Sequence, residues 1–389
     1  MNTTLAQTLN DITNSTKTMA AAAVTADGIL APCEIAIPKT PENGALLEVL
    51  ASGLCGSDID KLQPSKRKPG QILGHEFVGR IVELNSLPGK VWQNRNWQIG
   101  DRLVSSHHVP CLTCELCLQG KEPMCPSFKQ SNISPGAFCE WTAITEAHLN
   151  HTAFKIPDDI TDIEATCVEP LACVLRALRR LEGFLIGMRA GHSTDPNPAA
   201  PHVGVIGLGF IGCLFAMALH THIAGKAPLT THPVVGFEKN PERFNLAKKH
   251  LQVDPPSLED PSLDVIILTV VTPSTLQLAL SQLRDGGTLL LFASRGDSNV
   301  PESKDCLDPK TLYFREISVI TSYSPCLIDL KTSADLIFNR RIPLQNLLSD
   351  SPVLTVSLQN LQSAVEDYQT GKLFKVIVDP MLSRTNDRN

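Results

Sequence analysis

Four cysteines fall within fifteen residues, in the pattern Cys111-x2-Cys114-x2-Cys117-x7-Cys125. Four thiolates this close can surround one ion tetrahedrally, and Zn²⁺ suits both that geometry and soft sulfur ligands. With all four positions taken by protein, such a site stabilises a loop and catalyses nothing. The same Cys-x2-Cys-x2-Cys spacing also binds iron–sulfur clusters, and Pro126 follows Cys125, so an electron carrier is the rival reading. A second set of ligand types is dispersed. Cys55-Gly56-Ser57-Asp58 closes a strand-like run, and Gly74-His75-Glu76 follows twenty residues after Cys55. A catalytic zinc needs three protein ligands and an open position. Glu169, in Val168-Glu169-Pro170-Leu171, is the candidate third ligand, at an apparent joint between domains where clefts form.

Gly207-Leu208-Gly209-Phe210-Ile211-Gly212 fits G-x-G-x-x-G, follows an apolar strand-like run and opens a helical one, the context the motif requires. The first glycine permits a tight turn, the second lets the backbone approach a pyrophosphate, and the third lets helix and strand pack closely. Free N–H groups at the helix start favour phosphate. The next strand ends at Glu238, whose carboxylate can accept the ribose hydroxyls of NAD and would repel the 2′-phosphate of NADP. Lys239 and Arg243 close by keep NADP open.

Two kinds of framework must position these residues. Ala45–Ala51, Phe77–Leu84, Arg102–Ser105 and Phe138–Ile144 are strand-like and broken by Gly, Pro and Asn, which predicts an irregular β-rich domain. From Leu171–Leu181, apolar at helical spacing, the character changes. Val203–Ile206, Pro233–Phe237, Asp264–Val271 and Thr288–Phe292 then read as strands, alternating with helical Phe210–His220, Pro241–His250 and Thr275–Leu283. That alternation predicts a parallel α/β sheet. A chain of 389 residues with 42% hydrophobic and 19% charged content has the composition of a soluble globular protein of two domains. A net charge of −6 argues against a nucleic-acid partner. No run approaches the roughly 18 apolar residues of a membrane span. The polar residues up to Thr18 lack the features of a targeting peptide and read as a disordered tail. The cysteine crowding points to metal in a cytoplasmic chain rather than to disulfides.

These pieces, in this order, resemble the zinc-dependent medium-chain dehydrogenase/reductase family, most nearly its sorbitol (polyol) and threonine dehydrogenase branch. The motifs that carry the resemblance are Cys55-Gly56-Ser57-Asp58, Gly74-His75-Glu76-Phe77-Val78-Gly79, the four-cysteine loop, Glu169-Pro170-Leu171-Ala172 and the glycine turn, and it spans roughly residues 19–380. It implies a GroES-like β-rich catalytic domain (19–173 and 331–389) interrupted by a Rossmann NAD-binding domain (174–330), assembled as a homodimer or homotetramer. Two zinc ions per subunit are implied, one structural and one catalytic. Cys55 and His75 would hold the catalytic zinc with Glu169, or with Glu76 beside the metal, and Cys167 or Cys173 is an alternative to Glu169. Ser57 matches the hydroxyl that takes the substrate proton, Asp58 the group that orients His75, Arg315 a basic position near the cofactor, and Asp60 a terminal proton acceptor in liver-type enzymes. The implied reaction is reversible oxidation of a small secondary alcohol, a polyol or amino alcohol, to a ketone with hydride transfer to NAD. The departures are the tail before Met19, a long segment Leu185–Pro201, and Lys66-Arg67-Lys68, a solvated face or an attractor for a sugar phosphate. Trp141 and Phe128 are candidate pocket walls. A non-catalytic protein that kept the fold is the remaining alternative.

Overall fold

The computed structural model describes residues 18–382 except 87–88, 90–91, 93–94, 190–199, 224, 258–261 and 294–306. The chain folds as two compact units. One runs to Glu169 and resumes at Pro352, and the other is Pro170–Ser351.

The first unit is β-rich, as expected. β1 (Thr18–Val24) and β2 (Leu30–Ala36) form an antiparallel hairpin in which Val24 faces Leu30. Thr18, expected to end the tail, instead opens β1; residues 1–17 lie outside those described. A seven-stranded sheet follows, built from β3 (Ala45–Gly53), β4 (Glu76–Leu84), β5 (Arg102–Ser105), β6 (Trp141–Ile144) and β7 (Ala153–Lys155), with β14 (Val353–Val356) and β15 (Lys375–Val378) returning from the far end of the chain. β3 is the hub. Its first half pairs with β6, its second half with β15, and its other edge with β4 along its length. Its sequence ALLEVLASG is buried on both faces, which is why it can be central. Phe77, Leu47, Ile81, Trp92 and Trp97 fill one core, and Met19, Leu30, Phe138 and Val376 fill another.

The second unit is a six-stranded parallel sheet in the order β10-β9-β8-β11-β12-β13. Here β8 is Val203–Ile206, β9 Val234–Phe237, β10 Val253–Asp254, β11 Leu263–Leu268, β12 Leu283–Leu291 and β13 Ser318–Thr321. The first strand of the unit is central and the order reverses beside it, the doubly wound arrangement whose ligands bind at the carboxyl ends of the strands. Ile266, Leu268 and Leu289 are fully buried, as a sheet covered on both faces requires.

The predicted boundaries shift. The first break comes at 169/170 rather than 173/174. The second comes at 351/352 rather than 330/331, because helices Leu327–Phe338 and Leu344–Asp350 belong to the parallel-sheet unit. Arg179 makes two 2.8 Å bonds to Asp329, and Lys249 a 2.6 Å bond to Asp350, and these hold both helices in place. Most of the long segment 185–201 lies outside the described residues.

Candidate functional site

Cys55, His75 and Glu76 converge, each offering a ligand atom within 4.8 Å of the others. Local structure explains why. Cys55 leaves β3 and caps the short helix Gly56–Asp60, while Gly53, two residues earlier, pairs in register with Glu76 at the start of β4. Asp58 locks the two segments together. Its Oδ2 accepts the Cys55 N–H at 3.1 Å, and its Oδ1 accepts the Gly74 N–H at 3.4 Å. The same Oδ1 lies 3.2 Å from His75 Nδ1, an ion-pair contact too bent for a full hydrogen bond. Burial alone would raise the Asp58 carboxyl, but the charge of His75 and the surrounding donors override it and hold the carboxyl below its ordinary value. Burial alone would likewise lower His75, yet Asp58, and then Cys55, raise it well above the ordinary imidazole value. With Nδ1 turned to Asp58, Nε2 is left to face the site, 3.4 Å from Ser57 Oγ.

Glu76 is 1% exposed and forms an ion pair with Lys375 of β15, itself 2% exposed. Lys375 Nζ also donates to Leu54 O at 3.2 Å. Burial lowers the Lys375 ammonium, but Glu76 together with Tyr368 and Cys55 outweighs it and the net direction is up. A Cβ on Gly53 would collide with both charged groups, so glycine there makes room for the pair. Sequence reading missed Lys375. The available signal was a lysine at the head of the apolar run Lys375-Val376-Ile377-Val378, since a charge buried in a sheet must be paired.

The structure does not bring Glu169 into this group. It is buried in the first turn of helix Val168–Arg189, where free N–H groups favour a carboxylate. Cys167 is no substitute. It lies outside the group, with its Sγ 3.5 Å from Ile163 O. Cys173 is outside the group as well. Asp60 is held by Lys66 at 2.7 Å, which also accounts for the first charge of the 66–68 run. Trp141 and Phe128, the candidate pocket walls, are both buried. Trp141 lies in the cluster around Met19 and Phe138, and Phe128 packs on Cys117 and Cys125.

A histidine pair missed in the sequence lies beside the triad. The His107 ring is 4.8 Å from that of His75 and 4.1 Å from that of His108. Burial, with the neighbouring cations, holds the His107 imidazole well below its ordinary value. Two histidines between a strand and a cysteine loop were the overlooked signal.

The four loop cysteines form the second group. Their sulfurs are 3.5 Å apart for Cys114–Cys117 and Cys111–Cys125, and 3.9 Å for Cys111–Cys117. Tetrahedral zinc with Zn–S of about 2.3 Å needs sulfurs roughly 3.8 Å apart. The loop therefore fits one ion and is too tight to enclose a multi-iron cluster, against the electron-carrier reading. Backbone N–H groups of Thr113 and Cys114 lower Cys111 to about 6, whereas burial raises Cys117 to about 12.

The glycine turn follows β8. Gly207 has φ +91°, and a Cβ on Gly212 would strike the Gly207 carbonyl, so both need glycine. Gly209 caps helix Phe210–Leu219, and a side chain there would find open space, its nearest neighbour being Arg243 Nη1 at 3.8 Å. Phe210 is buried beneath the turn, and Ile211 follows it in the first helical turn. Glu238 Oε2 accepts the Leu208 N–H at 2.8 Å and Oε1 the Asn240 N–H at 2.9 Å, which fixes the carboxylate at the turn. Arg315 is a correction. It bonds Asp285 at 2.7 Å and the carbonyls of Leu280 and Leu283 at 2.7 and 2.6 Å. Leu283 is the amino end of β12, and the glycine turn lies at the carboxyl ends of the strands, so Arg315 seals the opposite edge of the sheet.

The alcohol dehydrogenase GroES-like domain profile matches residues 41–158, a span that holds both cysteine-bearing groups. An erythritol/L-threitol dehydrogenase of Mycolicibacterium smegmatis is 30% identical over 232 residues, 56% of this chain and 56% of that enzyme. An L-threonine 3-dehydrogenase of Shewanella loihica is 23% identical over 88% of this chain and 93% of its own length. The chain is similar to members of the medium-chain dehydrogenase/reductase family. The curated relatives it resembles include sorbitol and threonine dehydrogenases. Its fold matches the acetophenone reductase of Geotrichum candidum, solved in complex with NAD, at a TM-score of 0.73 and 21% identity over 94% of this chain and 98% of that one. A GroES-like domain and a parallel-sheet unit are combined in one chain. Among the described residues no helix is long and apolar enough to cross a membrane.

Proposed function

We propose that this oxidoreductase oxidises a secondary alcohol of a polyol or amino alcohol to a ketone, reversibly, with zinc and NAD. The observation that carries the reading is the convergence of Cys55, His75 and Glu76, with the Ser57 hydroxyl 3.4 Å from His75 Nε2. A thiolate, an imidazole and a carboxylate are a donor set zinc accepts, and three protein ligands leave a position for substrate. Zinc held there supplies Lewis acidity that lowers the pKa of a substrate hydroxyl. Ser57 would take that proton and pass it outward, its oxygen lying 3.4 Å from His75 Nε2. Asp58 keeps His75 in the tautomer that presents Nε2. Lys375 holds Glu76 at the edge of the triad.

NAD, when bound at the glycine turn, supplies the hydride acceptor. Gly209 leaves room for its pyrophosphate, and Glu238, already fixed at the turn, favours ribose hydroxyls over a 2′-phosphate. The four-cysteine loop takes the second zinc. The polyol and threonine dehydrogenases among the relatives support the substrate class. We place the enzyme in a reducing, cytoplasmic compartment, where its thiols stay free. We expect a homodimer or homotetramer, which light scattering would check.

The decisive experiment replaces Cys55 with Ser and measures zinc content and NAD reduction with polyols. Loss of one zinc and of turnover is expected, and undiminished turnover would refute the mechanism. A wild-type preference for NADP over NAD would refute the role given to Glu238.

A further inference from the structure

Helix Val168–Arg189 carries Arg176, Arg179 and Arg180 three and four positions apart, so they share a face. Each meets the segment that leaves the last strand of the parallel sheet. Arg180 Nε donates to Thr321 O at 2.8 Å, where β13 ends. Arg179 makes its paired bonds to Asp329, in the first turn of helix Leu327–Phe338. Arg176 Nη1 donates to the sulfur of Cys326, the residue that caps that helix. All of these residues lie within the unit Pro170–Ser351.

Charge balances here only if Cys326 is ionised. Arg176 is 4% exposed, and its guanidinium cannot shed its proton in a protein. The Cys326 sulfur is its one hydrogen-bond partner among the described residues, and its buried Nε has none. A buried charge must be paired. Asp329 is already committed. Its Oδ1 accepts from Arg179 Nε, and its Oδ2 from Arg179 Nη2 and from the Cys326 N–H at 3.0 Å. One carboxylate thus faces two guanidinium groups, which leaves the sulfur to supply the second negative charge. Its place at the start of a twelve-residue helix favours an anion as well. Against the effect of burial, Asp329 foremost and then Cys326 raise the Arg179 guanidinium, so the sulfur faces both arginines.

We infer that Cys326 is a thiolate in the folded protein, the countercharge of Arg176, and that the pair is a positioning element for the bound cofactor. Ligands of a doubly wound sheet bind beyond the carboxyl ends of its strands. Segment 322–325 begins at that end of β13, on the same edge as the glycine turn that follows β8. Within it Ser324 has φ +58°, a setting that a residue other than glycine keeps only where its surroundings impose it. Arg180 fixes the segment where it starts, and the Arg176–Cys326 pair fixes it where it ends. The role toward the cofactor rests on the reading of the glycine turn as an NAD site; the ionisation of Cys326 does not.

The ultraviolet absorbance of thiolate tests the pair on the zinc-loaded protein. An ordinary cysteine, with a pKa of about 8.5, is largely protonated at neutral pH. Wild type should nonetheless exceed Cys326→Asp by one thiolate per chain there, and Arg176→Met should fall short of wild type by the same amount. Zinc-bound thiolates cancel from both differences. NADH binding, followed by its fluorescence, tests the positioning. Cys326→Ser cannot supply the charge and is expected to weaken NADH roughly tenfold, the size of effect seen for residues that act on a ligand without touching it. Arg176→Met breaks the pair from the other side and should do the same, which keeps the test open if Cys326→Ser fails to fold. Cys326→Asp restores an anion and should recover most of the affinity, which a loss of packing alone would not. An absent thiolate signal, or one that survives in Arg176→Met, would overturn the ion pair. Unchanged NADH affinity in Cys326→Ser and Arg176→Met, or no recovery in Cys326→Asp, would overturn the positioning role. A wild type that binds no NADH would instead defeat the reading of the glycine turn.

Discussion

Replacing Lys375 with Met tests how the triad is held. Lys375 and Glu76 are each about fully buried and paired with each other. Methionine keeps the length and apolar bulk of lysine, so packing is largely preserved, but Glu76 is left as an uncompensated buried carboxylate. Removing one partner of a buried pair costs roughly 3–5 kcal/mol, a large part of the about 5–15 kcal/mol that holds a domain together. Zinc changes the sum. A cation at the triad faces the same carboxylate, so the variant should lose less when zinc-loaded than after chelation. The protein offers a convenient probe. Its three tryptophans, Trp92, Trp97 and Trp141, all lie in the first unit, so tryptophan fluorescence during urea unfolding reports that unit alone. Chelation strips the four-cysteine loop equally from wild type and variant, so the loop cancels from the comparison. The double variant Glu76→Gln with Lys375→Met should recover much of the loss, since it removes both charges. A loss below about 1 kcal/mol in the chelated single variant, or the same loss with and without zinc, would refute the argument.

Other outcomes follow from the same geometry. Asp58→Asn removes the charge that holds His75 Nδ1, and zinc affinity at the triad should fall roughly 10–100-fold in competition with a chromophoric chelator; unchanged affinity would contradict the orienting role. Gly207→Ala forces a side chain onto φ +91°, at a cost of roughly 1–2 kcal/mol, visible as lower stability by circular dichroism and weaker NADH binding. In chelator-treated protein, iodoacetamide should label Cys111 before Cys117 at neutral pH. A lowered pKa means thiolate above it, so Cys111 labelling should rise through about pH 6 while Cys117, raised to about 12, stays silent. Equal labelling of the two would refute the inequality.

What could be read from the sequence was what lies close together in it. The four-cysteine loop and the glycine turn are each complete within a short segment, and both took the expected form. Cys55 and His75 were recognisable because each sits in a short motif of its own, Cys55-Gly56-Ser57-Asp58 and Gly74-His75-Glu76. Lys375 was not, because its partner is 299 residues away and only the pairing of β15 with β3 brings them together. Arg315 was misread because a short match cannot tell which end of a strand it will face. The hairpin strand Thr18–Val24 went unread because alanine has little preference for strands, and burial against Leu30 and Phe138 decided its form. The late return to the first unit was misplaced because helices that continue a parallel sheet resemble helices that leave it.

The split of the first unit has a consequence for how the enzyme is made. A ribosome emits residues in order, and domains generally fold as they emerge. The parallel-sheet unit, continuous from Pro170 to Ser351, can finish while synthesis is still under way. The unit that carries the triad cannot. Half of one edge of β3 stays open, and Glu76 has no countercharge, until β15 arrives carrying Lys375. The nascent chain can thus complete its parallel-sheet unit first, and the group of Cys55, His75 and Glu76 matures only once β15 has emerged.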